Sequence, residues 1–173
     1  MEDKQIKTSK FALNYGAILG GINIAFGIML VVMEMQYERS WVVTAINIAA
    51  MIAVIIFGIL EFKKANNGLL SLVQALKVGI GIALISAVLG IAYTFILTTF
   101  IEPDFWDNSL EMGKAVMMEK NPNMTLEQAN QAIEMQRKFL WITYPFILLF
   151  NIFAGFIISL IAGLTMKKEE SKF

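Results

Sequence analysis

The stretch Val78–Ile101, VGIGIALISAVLGIAYTFILTTFI, runs for 24 residues without a charged side chain. A helix needs about 20 apolar residues to cross the hydrocarbon core of a bilayer. In lipid the backbone must also satisfy its own hydrogen bonds, which a helix does within one segment. Three other uncharged runs have the same character: Phe11–Met33, Trp41–Leu60 and Phe139–Met166. We therefore predict an all-α integral membrane four-helix bundle, a single membrane domain over residues 1–173 with spans at about 11–33, 41–60, 78–101 and 139–166.

The composition agrees with a chain embedded in lipid. Hydrophobic residues make up 57% of the 173 positions and charged residues 16%, with 14 acids balancing 14 bases, whereas soluble domains carry about 25% charged residues. Cysteine and histidine are both missing from the sequence, so thiolate ligands and the usual near-neutral proton shuttle are excluded. Zero net charge gives no basic surface for nucleic acid. We expect no cofactor, no nucleic-acid partner and no enzymatic activity, because acid–base catalysis needs a positioned titratable group.

The distribution of basic residues predicts the orientation. Three segments carry three lysines each: Lys4, Lys7 and Lys10 before the first run, Lys63, Lys64 and Lys77 after the second, and Lys167, Lys168 and Lys172 after the fourth. The first loop has Arg39 alone, and the segment 102–138 has four basic residues but seven acids. Because cytoplasmic loops are enriched in Lys and Arg, both termini are expected in the cytoplasm. Trp41, Trp106 and Trp141 would then form an aromatic belt at the opposite face.

The segment after the third run opens with an acidic stretch, Thr99–Asp107 (TFIEPDFWD). It contains three carboxylates: Glu102, Asp104 and Asp107. A calcium site would need 6–8 converging oxygens, so we favour the interpretation that these carboxylates lie at the positive end of a helix that starts near Pro103. Thr125–Gln128 (TLEQ) is a capping box that opens a second helix, which we expect to continue into the fourth span. The sequence thus predicts an extracytoplasmic amphipathic helical hairpin over residues 102–138.

The first helix of this hairpin has an apolar face at the helical period. Its members are Phe105, Trp106, Leu110, Val116 and Met117. The second helix offers only a thin apolar stripe, so part of this face should remain uncovered. Exposed apolar patches usually mark contact sites. We therefore predict that these residues contact a protein partner or the leaflet surface, with Trp106 at the level of the lipid headgroups.

We single out five of the polar side chains within the apolar runs, because they fall near the middle or the outer half of their spans: Asn23, Asn47, Ser86, Tyr93 and Asn151. Buried polar groups in lipid seek partners on neighbouring helices, which contributes about 0.6–2 kcal/mol each. These residues are therefore candidates for intramembrane polar contacts that hold the bundle together. A polar track for a solute is the alternative. The runs contain no Asp, Glu, Lys or Arg, which argues against proton-coupled or ion-coupled pumping.

Small residues recur at four-residue spacing in every run. The four ribbons are Gly16/Gly20, Ala45/Ala49/Ala53, Gly79/Ala83/Ala87 and Gly155/Ser159/Gly163. Residues four apart lie on one helix face, and small ones let a neighbouring backbone approach closely. We therefore expect each ribbon to lie at a contact between helices.

Three segments resemble a known family: Lys10–Leu30 (KFALNYGAILGGINIAFGIML), Ser71–Phe105 (SLVQALKVGIGIALISAVLGIAYTFILTTFIEPDF) and Asn121–Gln128 (NPNMTLEQ). They are similar to domain of unknown function 4199, an uncharacterised family of small four-span proteins found mainly in Bacteroidota. The resemblance covers nearly the whole chain. It implies a multi-pass protein of the bacterial inner (cytoplasmic) membrane with the 102–138 hairpin in the periplasm, and it implies no activity, ligand or catalytic residue.

Two roles agree with these expectations. The leading one is a non-enzymatic interaction or accessory protein whose hairpin docks a protein partner or the surface of the lipid bilayer. The alternative is a small-solute transporter or channel, acting as a homo-oligomer, that uses the level of Asn23, Asn47 and Asn151.

Overall fold

The computed structural model describes residues 6–37 and 40–168. These residues contain six α-helices: α1 (Thr8–Val32), α2 (Trp41–Ala65), α3 (Leu72–Ile96), α4 (Phe105–Lys120), α5 (Leu126–Lys138) and α6 (Thr143–Met166). A π-helical turn, Leu97–Ile101, extends α3, and a 3₁₀ turn, Leu140–Ile142, precedes α6. Four segments are long and apolar enough to cross a membrane: Thr8–Val32, Trp41–Ala65, Leu72–Ile101 and Leu140–Met166. The predicted all-α class is confirmed, and these helices indicate a membrane-embedded protein.

The third span begins earlier than its uncharged run. Ser71 caps α3: its hydroxyl accepts from the Gln74 backbone N–H at 3.2 Å, and the Gln74 side chain accepts from the Ser71 N–H at 2.9 Å. Lys77 therefore lies inside the helix, although it marked the edge of the run. Lysine tolerates this position because its aliphatic stem can extend towards water at the end of a span.

Helix α3 is the centre of the bundle and packs against α1, α2 and α6. Its contact with α6 is a seam of small residues, where a Cβ added to Gly155 would lie 2.5 Å from the Cβ of Ala83. In the contact with α1, a Cβ added to Gly16 would lie 2.7 Å from the Cβ of Ile85. Three of the four ribbons thus include residues at close helix contacts, where glycine allows the backbones to approach.

The fourth ribbon does not lie at a contact in this chain. Ala45, Ala49 and Ala53 are all exposed on α2. The buried residues of α2 all belong to its second half: Val54, Ile55, Gly58, Ile59 and Phe62. The expectation for this ribbon was therefore wrong, because the surface that α2 buries lies mainly in the half that leads to Ala65.

The two ends of the bundle differ in packing. We call the end where α1 and α3 begin the lysine end, and the end where α2 and α6 begin the tryptophan end. At the lysine end, Leu70 and Lys168 exchange two backbone hydrogen bonds of 2.8 and 2.9 Å. The Lys63 ammonium also donates to the Met166 carbonyl at 2.8 Å. These bonds tie α6 to the connection between α2 and α3, directly below the apolar core.

The helix is interrupted between α5 and α6, where one continuous helix was expected. Phe139 leaves the helical region with φ −105° and ψ 10°. Pro145 gives the physical reason: it has no N–H to donate one turn back, so it is tolerated only in the first turn of a helix. Starting α6 at Thr143 places Pro145 in that turn.

Candidate functional site: an amide-lined cavity

A cavity of about 500 Å³ lies among the four long helices, in the half nearer the tryptophan end. All five polar residues singled out from the sequence line it: Asn23 from α1, Asn47 from α2, Ser86 and Tyr93 from α3, and Asn151 from α6. The fold therefore gathers the polar side chains of four helices around one space.

The cavity lies beside the first half of α2 and beside Gly90 of α3, which has no side chain to fill the space. The first half of α2, which contributes Thr44 and Asn47 to the wall, has no buried residue. Gly90 forms part of the wall on α3, and a Cβ added there would meet nothing within 4 Å. The sequence did not indicate that Gly90 lines a cavity, because the surroundings of Gly90 depend on the position of α2 in the bundle.

The amides of the cavity are only partly satisfied by the protein. Asn23 Nδ2 donates to the Ser86 hydroxyl at 3.2 Å, while Asn23 Oδ1 is buried and has no hydrogen-bond partner among the described residues. Asn47 and Asn151 turn their Nδ2 atoms back to carbonyls one turn earlier, at 3.0 and 2.8 Å. Their Oδ1 atoms accept no hydrogen bond within the described residues. A buried acceptor without a donor costs about 1–3 kcal/mol, so a ligand that brings a donor would be stabilised here.

The wall of the cavity is otherwise apolar and carries no acidic or basic side chain. Its apolar members include Leu19, Ile24, Ile48, Met51 and Phe150. Ligand sites typically have volumes of about 300–1,000 Å³ and a few polar groups on an apolar wall. This cavity has that size and that composition.

Towards the lysine end the cavity stops at the apolar core. Ile55, Ile59, Val78 and Ile82 are fully buried there, and Phe62 closes the core below them. A molecule in the cavity therefore meets packed side chains on that side. The arrangement is a blind pocket rather than a continuous channel.

The family of the protein follows from its sequence. Residues 14–168 match the family described as "Protein of unknown function (DUF4199)". The chain belongs to this family. The match covers most of the chain and confirms the resemblance to domain of unknown function 4199, while no curated protein and no solved structure matches the chain.

In this DUF4199 protein, Glu102 has a different role from the helix capping predicted for it. One carboxylate oxygen, Oε1, accepts hydrogen bonds from the Tyr37 hydroxyl at 2.8 Å and from Gln36 Nε2 at 3.0 Å. Asn108 of α4 donates to the same Tyr37 hydroxyl at 3.1 Å. Glu102 thus joins the loop after α1 to the end of α3. The sequence offers one signal for this contact, an acid directly after a span, but nothing in the sequence names the partner.

The other two carboxylates of the acidic stretch also differ in part from prediction. Asp104 is the N-cap residue of α4 but forms no side-chain capping bond. Asp107 lies in the first turn, as predicted, and forms an ion pair with Arg137 of α5. Within residues 6–37 and 40–168, no three His, Cys, Asp or Glu side chains gather as a metal site would require.

The predicted contact face of α4 is largely covered by the protein itself. Leu110 is buried where α4 packs against α5, so it has little surface free for another molecule. Phe105 and Trp106 are half-buried in an aromatic row with Tyr37 and Tyr144, with ring centroids 5.3–6.3 Å apart. Of the remaining members of the face, Met117 is half-buried and Val116 is exposed. Little of this face is left for a partner.

Proposed function

We propose that this protein is a non-enzymatic, ligand-binding protein of the bacterial inner membrane. In this proposal both termini are cytoplasmic and the α4–α5 unit is periplasmic, in line with the lysine distribution. The ligand is a neutral molecule with a hydrogen-bond donor and an apolar portion, held in the amide-lined cavity.

One observation carries the proposal: Asn23, whose Oδ1 atom is buried without a hydrogen-bond partner among the described residues, lines an uncharged cavity of about 500 Å³. Bonds between helices do not account for all three amides, because Asn23 is paired with Ser86 of α3 but Asn47 and Asn151 bond only to their own helices. The uncharged wall favours a neutral head group, because an isolated charge in a low-dielectric site is strongly disfavoured. The apolar wall favours an attached hydrocarbon portion.

The cavity supports the solute-related role more than the docking role. Docking through α4 would use a face whose Leu110 is buried and whose Phe105 and Trp106 are half-covered. Conduction would require a path through the core around Ile55 and Ile82, both fully buried. Binding without conduction agrees with both observations.

A cavity-filling substitution tests the proposal. Gly90→Leu should occupy the space, since an added Cβ at Gly90 meets nothing within 4 Å. Gly21→Leu is the matched control, because Gly21 is exposed on α1 and an added Cβ there also meets nothing within 4 Å. Both changes replace glycine in a helix, so both should fold.

The readout is the thermal midpoint of the full chain in detergent, with and without a monoacylglycerol as the neutral, hydroxyl-bearing probe. At about 100 times its Kd, a ligand adds about 2.7 kcal/mol of stability, which corresponds to roughly 5–10 °C for a chain of this size. The wild type and Gly21→Leu should show the shift, and Gly90→Leu should lose it. No shift in the wild type, or the same shift in Gly90→Leu, would overturn the proposal.

A further inference from the structure

A second, basic cleft lies at the lysine end, between the first turns of α1 and α3. It has a volume of about 330 Å³ and is lined by Ile6, Lys7, Thr8, Ser9, Gln74 and Lys77. Two lysines, one at the N-cap of α1 and one within α3, and the hydroxyl-bearing residues Thr8 and Ser9 therefore border one space. Such a set of cations and hydrogen-bond donors is suited to a phosphate group.

An apolar groove of about 660 Å³ adjoins this cleft, since the two share Ile6, Lys7 and Ser9. From there the groove continues past Phe11 and Leu13, the latter with 59% of its surface exposed. Both residues belong to the apolar span of α1. The basic cleft thus adjoins a largely apolar groove on a candidate membrane span, although Lys10 and Asn14 also line this groove.

The electrostatic environment of the cleft favours an anion. The first turn of α1 contains no acidic residue, and the N-cap residue Lys7 makes no side-chain capping bond. The free N–H groups and the positive dipole end of α1 therefore add to the charge of the lysines. The helix end only reinforces the site; the two lysines and the adjoining groove define it.

We propose that this cleft binds the phosphate of an anionic phospholipid, with Lys7 and Lys77 at the headgroup and an acyl chain along Phe11 and Leu13. The occupant is a lipid and not a free phosphate ester, because a soluble anion would leave the apolar groove without a role. This site is independent of the amide-lined cavity, which lies in the other half of the bundle.

Binding of phosphatidylglycerol to the full-length protein in mixed micelles, followed by native mass spectrometry, tests the site. Each lysine near an anionic lipid contributes about fivefold in affinity, so Lys7→Gln/Lys77→Gln should weaken binding about 25-fold. The matched control is Lys167→Gln/Lys168→Gln, which removes two exposed charges from the same end but outside the cleft. It should weaken binding only a few-fold.

Two further measurements distinguish a lipid phosphate from a free phosphate ester and exclude a loss of folding as the cause of weaker binding. Glycerol phosphate, which lacks acyl chains, should bind at least tenfold more weakly than phosphatidylglycerol, and the zwitterionic phosphatidylcholine should not respond to either pair of substitutions. Helical circular dichroism should be unchanged in both variants. An equal loss of affinity in the two double variants would indicate binding to a diffuse basic surface and would overturn the proposed lipid site. Binding of glycerol phosphate as tight as that of phosphatidylglycerol would overturn it as well.

Discussion

At the scale of single residues, Glu102 connects two segments that are far apart in the chain. Its carboxylate accepts from Tyr37 and Gln36, which follow α1, while Glu102 itself follows the π-helical turn of α3. In that turn its own N–H donates to the Leu97 carbonyl at 2.7 Å. The π-helical turn determines the position of the Glu102 backbone and therefore of its side chain. Such turns are frequent at functional sites.

Removing the Tyr37 hydroxyl should loosen this connection. Tyr37→Phe deletes one bond to a carboxylate and one from Asn108, and hydrogen bonds to charged groups contribute about 1.5–3 kcal/mol when buried. Because this network is only partly buried, we expect a loss of about 1 kcal/mol in the free energy of unfolding in detergent. Tyr144→Phe is the control, since the Tyr144 hydroxyl forms no hydrogen bond within the described part of the chain. Equal losses would contradict a specific role for Tyr37.

The same hydroxyl should make stability depend on pH. Burial and then the neighbouring Glu102 raise the pKa of Tyr37 above its ordinary value of 10.0, although the Asn108 bond lowers it in part. The unfolded chain therefore ionises first, and the contribution of Tyr37 is complete below pH 10 and lost as the pH rises through the folded-state pKa. Unfolding measured from pH 8 to 11 should show wild type and Tyr37→Phe converging only at the alkaline end. A constant difference would contradict this linkage.

At the scale of elements, the seam between α3 and α6 sets the distance between two spans. Ala83 is fully buried and faces Gly155, and Gly79 faces Ser159 across the same seam. Without a hydrophobic driving force between helices in lipid, such close packing is a main source of association. The seam is therefore sensitive to added volume.

Enlarging Ala83 should separate the two helices. Ala83→Leu inserts three carbons where a backbone already lies in contact, and overpacking costs about 1–3 kcal/mol or more. Ala92→Leu is the matched control on α3, because Ala92 is exposed. We expect a lower midpoint of chemical unfolding for Ala83→Leu and little change for Ala92→Leu. Similar midpoints for the two variants would remove the argument for the seam.

The elements themselves were largely predictable, and their partners were not. Uncharged length predicts the four spans, and the capping box at Thr125 and Gln128 is confirmed by its two hydrogen bonds of 3.0 and 3.2 Å. Both signals are local in the sequence. The exposure of Ala49 on α2 and the hydrogen-bond partner of Glu102 after α3 depend on which helices become neighbours. That is decided by the packing of the bundle and not by the local sequence. The sequence therefore indicated five polar candidates within the spans, but it did not predict that all five line one cavity.

At the scale of the whole molecule, the charges at the two ends predict how the bundle sits in the membrane. Lys63, Lys64 and Lys77 flank the connection between α2 and α3, whereas the α4–α5 unit contains seven acids if Glu102 and Asp104 are included. Positive residues favour the cytoplasmic side. These lysines lie at the lysine end of the bundle, where Leu70 and Lys168 exchange backbone hydrogen bonds.

Reporter fusions at two exposed turns test this orientation. A reporter active only outside the cytoplasm should be active when inserted at Asn121, between α4 and α5, and inactive at Asn66, after α2. A cytoplasmic reporter should give the opposite result at each position. The reverse of both patterns would place the termini outside and would also move the proposed lipid cleft to the other leaflet.

The central position of α3 has a consequence for biogenesis. A ribosome delivers α1 and α2 to the membrane before α3 is made, yet α1 packs more extensively against α3 than against α2. The groove around Gly16 and Gly20 must therefore be covered by lipid until Ile85 and Leu89 arrive. The spans α1 and α2 can pair as a hairpin before α3 is made, but α1 gains most of its helix contacts only when α3 is inserted, and α6 joins last.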